Sequence, residues 1–170
     1  MLREVRPQVV VTYASDGGYG HPDHVRAHEV TMAAAAKVPD VLRVFHTVPS
    51  EEVLAAGLEQ LVQVRNLPFE LPQLHELPSV PGERISAVVD IGDHLPAKIS
   101  ALRAHGTQVK VWLDEWDNGA GVAAYALSNE VAQPVVGTEH FVLAGGDPAG
   151  CDRDLFGGLG VSGTEPVEDR

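Results

Sequence analysis

Several residue types are scarce in the sequence, and each scarcity excludes a class of structure or partner. It has one cysteine, Cys151, which excludes an internal disulfide framework and is compatible with a reducing compartment. Lys and Arg total 12 against 24 Asp and Glu, giving a formal net charge of -12. No basic run appears, which argues against nucleic acid or an anionic membrane surface as partner and favours a small neutral or polar ligand. Because the chain lacks both a long apolar stretch and a signal-peptide core, we expect a cytoplasmic protein.

Length and hydrophobic patterning predict a single α/β domain. The chain has 170 residues, 44% of them hydrophobic, which is enough for one core. We expect a domain over residues 1–159 and a polar tail over 160–170. Short β-branched or alternating segments predict strands at Val9–Tyr13, Val41–Val48, Ile85–Ile91 and His140–Ala144. Capped, amphipathic or alanine-rich segments predict helices at Asp23–Lys37, Ser50–Val64, Pro96–His105 and Ala123–Ala132, and the acidic, glycine-rich Trp112–Gly121 predicts a loop.

The most informative segment is Gly17–His24, with the sequence GGYGHPDH, between the first predicted strand and the first predicted helix. Ligands of open α/β sheets gather beyond the carboxyl ends of strands, where this segment lies. Histidine nitrogen and carboxylate oxygen are also the ligands of catalytic zinc. From the residues alone, a metal or acid/base site and a capped helix start with incidental histidines both remain open. The three glycines favour the site, because they indicate unusual torsions or close approach to a ligand.

Other polar residues fit structural roles better. His28 follows His24 by four residues on one helical face, but Val25 stands where a metalloprotease motif has glutamate. We therefore expect His28 not to be a ligand. The remaining candidates lie at predicted helix ends or in the acidic loop, where we expect capping or solvated side chains: Asp90, Asp93, His94, His105, Asp114, Glu115 and Asp117.

The segment Val9–Ala36 closely resembles the second zinc-site motif of the LmbE-like, or PIG-L-like, deacetylases. Within that superfamily it is most similar to the branch of mycothiol biosynthesis, whose members remove the acetyl group from an N-acetylglucosaminyl-inositol. The resemblance continues through Lys98–Gln108, Ala126–Pro134 and Glu139–Gly160. It implies a Rossmann-like α/β fold with a parallel sheet flanked by helices, one Zn²⁺ ion, an amino-sugar substrate and hydrolysis of an acetamide.

The resemblance also implies a role for each residue of the motif. His24 matches the third zinc ligand of the family. His21 matches a histidine that stabilises the tetrahedral intermediate or delivers a proton, and Asp23 matches a carboxylate that supports it. Tyr19 matches a mobile tyrosine at the pocket mouth that helps to polarise the substrate carbonyl. These roles agree with the general chemistry of metal-assisted amide hydrolysis, in which donors face the developing oxyanion.

One family motif is missing. Members open with Ala-His-Pro-Asp-Asp-Glu, which supplies two zinc ligands and the aspartate base, whereas the only His-Pro-Asp here begins at His21. We therefore expect the chain to correspond to the C-terminal portion of a longer enzyme, with an incomplete fold and weak activity by itself. An exposed sheet edge would then promote self-association or pairing with an N-terminal half. Two alternatives remain open: an amidase that cleaves mycothiol S-conjugates, and a non-catalytic module or half of a split enzyme.

Overall fold

The structure is a computed structural model that describes residues 1–73, 75–117 and 120–160, and the side chains of all of these except 115–117 and 120. Its elements are, in chain order, α1 Leu2–Val5, β1 Val9–Thr12, α2 Pro22–Ala35, β2 Arg43–Val48, α3 Glu51–Gln63, β3 Ala87–Asp90, α4 Leu95–Ala104, β4 Lys110–Asp117, β5 Ala120–Ala126, β6 Ala132–Pro134 and β7 Thr138–Gly146. The architecture is mixed α/β, as predicted. From residue 161 on, the predicted tail lies outside the described residues.

The chain divides into two compact units. The first contains Met1–Val48, Glu83–Val89 and the described residues from His140 onward, and the second contains Pro49–Gly82 and Asp90–Glu139. The single domain predicted over residues 1–159 stays a prediction. Among the described residues, no helix is long and apolar enough to cross a membrane.

A four-stranded sheet in the order β1-β2-β7-β3 builds the first unit. β1 and β2 are parallel, with Val10 opposite Val44, and α2 connects them. β7 runs antiparallel to β2, with a register shift between Val44 and Phe45. The expectation of a parallel sheet is therefore correct for β1 and β2 and wrong for β2 and β7. A helix between two strands predicts their parallel pairing, whereas the direction of β7 depends on a long path that local patterning does not encode.

The first unit has an aromatic core around Phe45, which is fully buried. Its ring meets that of Phe141 edge to face, with centroids 6.3 Å apart, and Ala87 and Cys151 complete the buried cluster. The edge-to-face arrangement places the positive ring edge on the negative ring face and adds to the gain from burial. Cys151 is thus a buried hydrophobic side chain and a free thiol.

Arg43, at the start of β2, is only 1% exposed although it carries a charge. Its guanidinium donates to four main-chain carbonyls, those of Asp147, Ala149, Leu155 and Gly157, at 2.6 to 2.9 Å. Burial of a cation is tolerated when it is well hydrogen-bonded, and here each of the three guanidinium nitrogens donates to at least one carbonyl. Arg43 therefore fixes the loop that follows β7 onto the sheet.

The second unit contains an antiparallel sheet in the order β4-β5-β6. Two predictions are wrong here. The described backbone of the predicted loop, residues 112–117 and 120–121, lies in β4 and β5, and Ala123–Ala132 contributes to β5 and β6 instead of a helix. The cause is tertiary. Ala124 and Ala132 are fully buried against Leu61 of α3, so packing selects the strand for residues whose own preference is helical.

Close packing of α3 on β6 depends on Gly57. A Cβ atom at this position would lie 2.7 Å from the ring of Pro134, inside van der Waals contact. The helix itself begins as predicted, because the Ser50 hydroxyl accepts from the Val53 amide at 3.4 Å. Glycine at position 57 therefore lowers the helix propensity of α3 but allows the helix to lie close to β6.

Candidate active site

The glycine-rich turn after β1 adopts the torsions that the sequence predicted. Gly17, Gly18 and Gly20 have φ values of 70°, 83° and 83°, in the left-handed region that favours glycine. The Asp16 carboxylate accepts from the Gly18 amide at 2.9 Å and stabilises the turn. At Gly17 the turn also approaches α2, since a Cβ there would lie 2.8 Å from the Cβ of His24. The turn thus positions the start of the helix.

His21 caps the N-terminus of α2 with its side chain. Its Nδ1 accepts from the main-chain amide of Asp23 at 3.2 Å, and Pro22 occupies the first helical position. Because Nδ1 is an acceptor, the neutral imidazole carries its proton on Nε2. His21 therefore presents an N–H donor on its free side.

His24, one turn into α2, has the opposite tautomer. Its Nδ1 lies 3.1 Å from the carbonyl oxygen of Gly17, and because a carbonyl only accepts, Nδ1 is the donor. The Tyr13 ring stacks on the imidazole, with centroids 4.0 Å apart and planes 3° from parallel. A backbone carbonyl on one ring nitrogen is a common way to orient a metal-binding histidine. His24 therefore presents the lone pair of Nε2.

Tyr19 completes a cluster of rings at the turn. It meets the His24 ring edge-on, with centroids 5.1 Å apart, and lies 5.9 Å from the ring of His21. The centroids of His21 and His24 are 5.0 Å apart. Tyr19 is 60% exposed and the side chain of Asp23 is exposed, so both can reach a ligand in solvent. The structure thus brings Tyr19, His21 and His24 together. Asp23 contacts His21 through its main-chain amide, and the supporting role expected for its carboxylate stays a prediction.

The structure places His28 with His46 of β2, their ring centroids 5.0 Å apart. Asp90 accepts from the Gly92 amide at 2.8 Å, which matches the structural role expected for the cluster at the start of α4. His105 ends α4 and is exposed. Asp114 lies in β4, and the side chains of Glu115 and Asp117 lie outside the described ones.

Sequence reasoning missed two residues near the motif, Tyr13 and His46. Burial and the nearby His28 lower the pKa of His46, while the Asp16 carboxylate acts in the opposite direction. A histidine within a predicted strand, after the apolar Val44 and Phe45, was the signal available for His46. The stacking of Tyr13 on His24 had no sequence signal, because it depends on the exact path of the turn.

The described residues do not by themselves fit a complete catalytic zinc site. Such a site needs three protein ligands and an open position. Among the described residues, no group of three or more His, Cys, Asp and Glu side chains could hold a metal ion. Of the two motif imidazoles, His24 presents a lone pair and His21 a proton. One ligand is thus the contribution that the geometry supports.

Similar proteins were found among curated deacetylases, whereas no protein-family model matches the chain. The chain is 76% identical over 170 residues to 1D-myo-inositol 2-acetamido-2-deoxy-alpha-D-glucopyranoside deacetylase 1 of Saccharopolyspora erythraea, covering 100% of this chain and 56% of that protein. It is 56% identical over 160 residues to the deacetylase of Actinosynnema mirum, covering 94% and 55%. For the protein of Saccharomonospora viridis the identity is 49% over 156 residues, covering 92% and 55%.

The chain spans about half the length of the curated relatives it matches, and the match extends over nearly all of its own residues. Identity at this level over so long a stretch reflects common descent. The resemblance predicted from the glycine-rich motif is confirmed: over nearly all of its own residues, the chain is similar to part of these 1D-myo-inositol 2-acetamido-2-deoxy-alpha-D-glucopyranoside deacetylases.

Proposed function

We propose that the chain supplies part of the active site of a deacetylase of mycothiol biosynthesis, which hydrolyses the acetamide of an N-acetylglucosaminyl-inositol. The observation that carries this proposal is the pair of opposite tautomers, with a proton on Nε2 of His21 and a lone pair on Nε2 of His24. A donor beside a metal ligand suits metal-assisted amide hydrolysis, because the carbonyl oxygen gains negative charge as water attacks. The relatives, named as deacetylases, support the same activity.

In this proposal, Zn²⁺ is the cofactor of the longer enzyme and His24 is one of its ligands. The other ligands and the general base come from residues outside the described chain, in a part that the relatives have beyond the matched 55–56%. The matched part is the C-terminal portion, and an N-terminal half covers the free edge of the sheet at β1. β1 is an edge strand of the described sheet, which supports such pairing.

The residues of this chain act on the acetyl group and the leaving nitrogen. Water oxygen bonds to the carbonyl carbon, the oxyanion accepts from the Tyr19 hydroxyl and His21 Nε2–H, and the C–N bond then breaks. The general base of the longer enzyme would take one proton from the attacking water and pass it to the leaving nitrogen, so that acetate and the amine are released while neutral His21 keeps its Nε2 proton. Asp23 holds His21 in the required tautomer through its amide, which donates to Nδ1 at 3.2 Å.

A chimera tests the proposal. This chain replaces the matching 56% of the Saccharopolyspora erythraea deacetylase, and amine release from an N-acetylglucosaminyl-inositol is measured beside the parent enzyme. We expect turnover close to that of the parent. A folded chimera that holds zinc but releases no amine would contradict the proposal and favour a non-catalytic module. Cleavage of a mycothiol S-conjugate in preference to the acetamide would instead show an amidase.

A further inference from the structure

A second pair of imidazoles lies in the first unit beyond the glycine-rich motif. His46 sits on β2, with Thr12 of β1 and Val142 of β7 as its cross-strand neighbours. Its Nε2 is buried and makes no hydrogen bond to the described part of the chain. Burial of a polar nitrogen without a partner destabilises the fold, so such an atom requires an explanation. A bound ligand is one explanation that the neighbouring residues can test.

The neighbour is His28 of α2, whose ring centroid lies 5.0 Å from that of His46 with planes tilted by 58°. Nδ1 of His28 lies 2.9 Å from the carbonyl oxygen of Tyr13 and is therefore the donor. The neutral ring then carries its lone pair on Nε2. A main-chain carbonyl thus orients His28 in the same way as another orients His24.

The spacing of the two rings fits a shared cation. With metal–nitrogen distances of about 2.0–2.1 Å, two imidazoles on one tetrahedral ion have ring centroids roughly 5 Å apart. The two side chains come from a helix and a strand, which hold ligand geometry better than a loop does. A nearby negative charge also favours a cation, and the Asp16 carboxylate lies close enough to act on His46.

We propose that His28 and His46 bind one divalent transition-metal ion between them, at a site that does not use His24. Two imidazole nitrogens select borderline ions such as Zn²⁺, Ni²⁺ and Cu²⁺ over Mg²⁺ and Ca²⁺. Water completes the coordination, because no group of three or more ligating side chains is present among the described residues. The site binds more weakly than a catalytic zinc site with three protein ligands. It is independent of the deacetylase proposal, since it uses neither Tyr19 nor His21.

The test is a titration of the 170-residue chain with Zn²⁺, followed by NMR of the assigned imidazole ring protons. We expect the ring signals of His28 and His46 to shift together and to saturate when one Zn²⁺ ion is bound at this site per chain. The same shifts persist in His24→Ala, which removes the motif ligand. They are lost from His28 in His46→Phe, and from His46 in His28→Gln. His105→Gln, at an exposed histidine of the second unit, is the matched control and leaves them unchanged.

Three outcomes would overturn the proposal. The first is saturating Zn²⁺ without any shift at His28 and His46. The second is loss of these shifts in His24→Ala, which would assign the ion to the motif. The third is retention of the His28 shift in a His46→Phe chain whose circular dichroism is unchanged. If His46→Phe does not fold, His28→Gln on the helix decides, because retention of the His46 shift in that variant has the same meaning.

Discussion

The two units of the molecule use histidine in different ways. In the first, His21 and His24 have ring centroids 5.0 Å apart, and His28 and His46 lie at the same distance. In the second, three histidines are exposed near the ends of elements or in turns: His75, His94 and His105. The difference shows that the number of histidines does not locate chemistry. More informative is a main-chain contact that fixes one ring nitrogen and leaves the other available, as at His21, His24 and His28.

The cores of the units differ as well. The first is built on large rings, Phe45 and Phe141, whereas the second packs α3 against strands of small residues such as Ala124 and Ala132. Small residues allow a helix to approach a sheet closely, and that closeness leaves little tolerance for added atoms. We therefore expect a Cβ added at Gly57 in the second unit to act on stability, whereas substitutions of the exposed motif residues Tyr19 and His21 in the first unit should act mainly on catalysis.

The largest effect is expected for His24→Ala in the chimera with the Saccharopolyspora erythraea relative. Loss of this ligand leaves the catalytic zinc with two protein ligands, so metal retained after dialysis and amine release should both fall to background. Elemental analysis measures the first and a fluorescamine assay the second. His28→Ala and His105→Ala are the controls and keep the catalytic zinc. A dialysed His24→Ala chimera with zinc at parental stoichiometry would disprove the assignment.

Tyr19→Phe and His21→Ala should come next. A lost donor to the oxyanion lowers kcat by about 10²–10³-fold, while zinc content and KM change little. Steady-state kinetics on the chimera separate the two parameters. An increase in KM with unchanged kcat would mean that these side chains position the substrate and do not act on the transition state.

The isolated chain and the chimera differ in the number of zinc ligands, so their zinc affinities should differ. The 170 residues by themselves should bind zinc more weakly than the chimera and release no amine, because His24 is the one catalytic ligand that the described geometry supports. Calorimetric titration with zinc and the same amine assay check both statements. Tight binding together with turnover would show that other residues of the chain replace the missing motif, with Asp90, Asp93 and His94 the first to test.

In the second unit, Gly57→Ala should destabilise the fold by about 1–3 kcal/mol, because overpacking against Pro134 outweighs the gain in helix propensity. The added Cβ would lie 2.7 Å from Pro134. Gly106→Ala is the matched control: its Cβ would lie 3.6 Å from the nearest atom, so the change should stay within about 0.5 kcal/mol. Urea unfolding gives both values. Equal stabilities for the two variants would contradict the close packing of α3 on β6.

The smallest effect is expected for Tyr125→Phe and appears in alkaline solution. Burial raises the pKa of Tyr125, whose hydroxyl donates to Gln133 at 2.8 Å. The folded state thus holds this proton more tightly than the unfolded state. The contribution of Tyr125 to the free energy of unfolding is therefore complete below about pH 10 and is lost as pH rises through the folded pKa. The variant should lose this part of the pH dependence. Urea unfolding between neutral and alkaline pH measures it, and parallel curves for both proteins would refute it.

The sequence predicted those elements whose determinants are local. Ser50 caps α3, Pro22 begins α2, and the glycines of the turn have the torsions that their number indicated. Prediction from the sequence failed where packing between distant residues determines the structure, as for the alanines of β5 and the direction of β7. At the site, the motif identified Tyr19, His21 and His24 as neighbours. The sequence did not reveal Tyr13 or His46, because their contacts depend on how β1, β2 and α2 come together.

The contacts that set the tautomers have a consequence for how the site changes under mutation. Both His21 and His24 are oriented by main-chain atoms, the Asp23 amide and the Gly17 carbonyl. Almost every amino acid has these atoms, so a single-nucleotide change at codon 23 that keeps the backbone path preserves the His21 tautomer even when the carboxylate is lost. Codon 17 is different. Any non-glycine residue there must adopt a φ of 70° with its Cβ 2.8 Å from that of His24, so we expect every replacement at this codon to strain the turn.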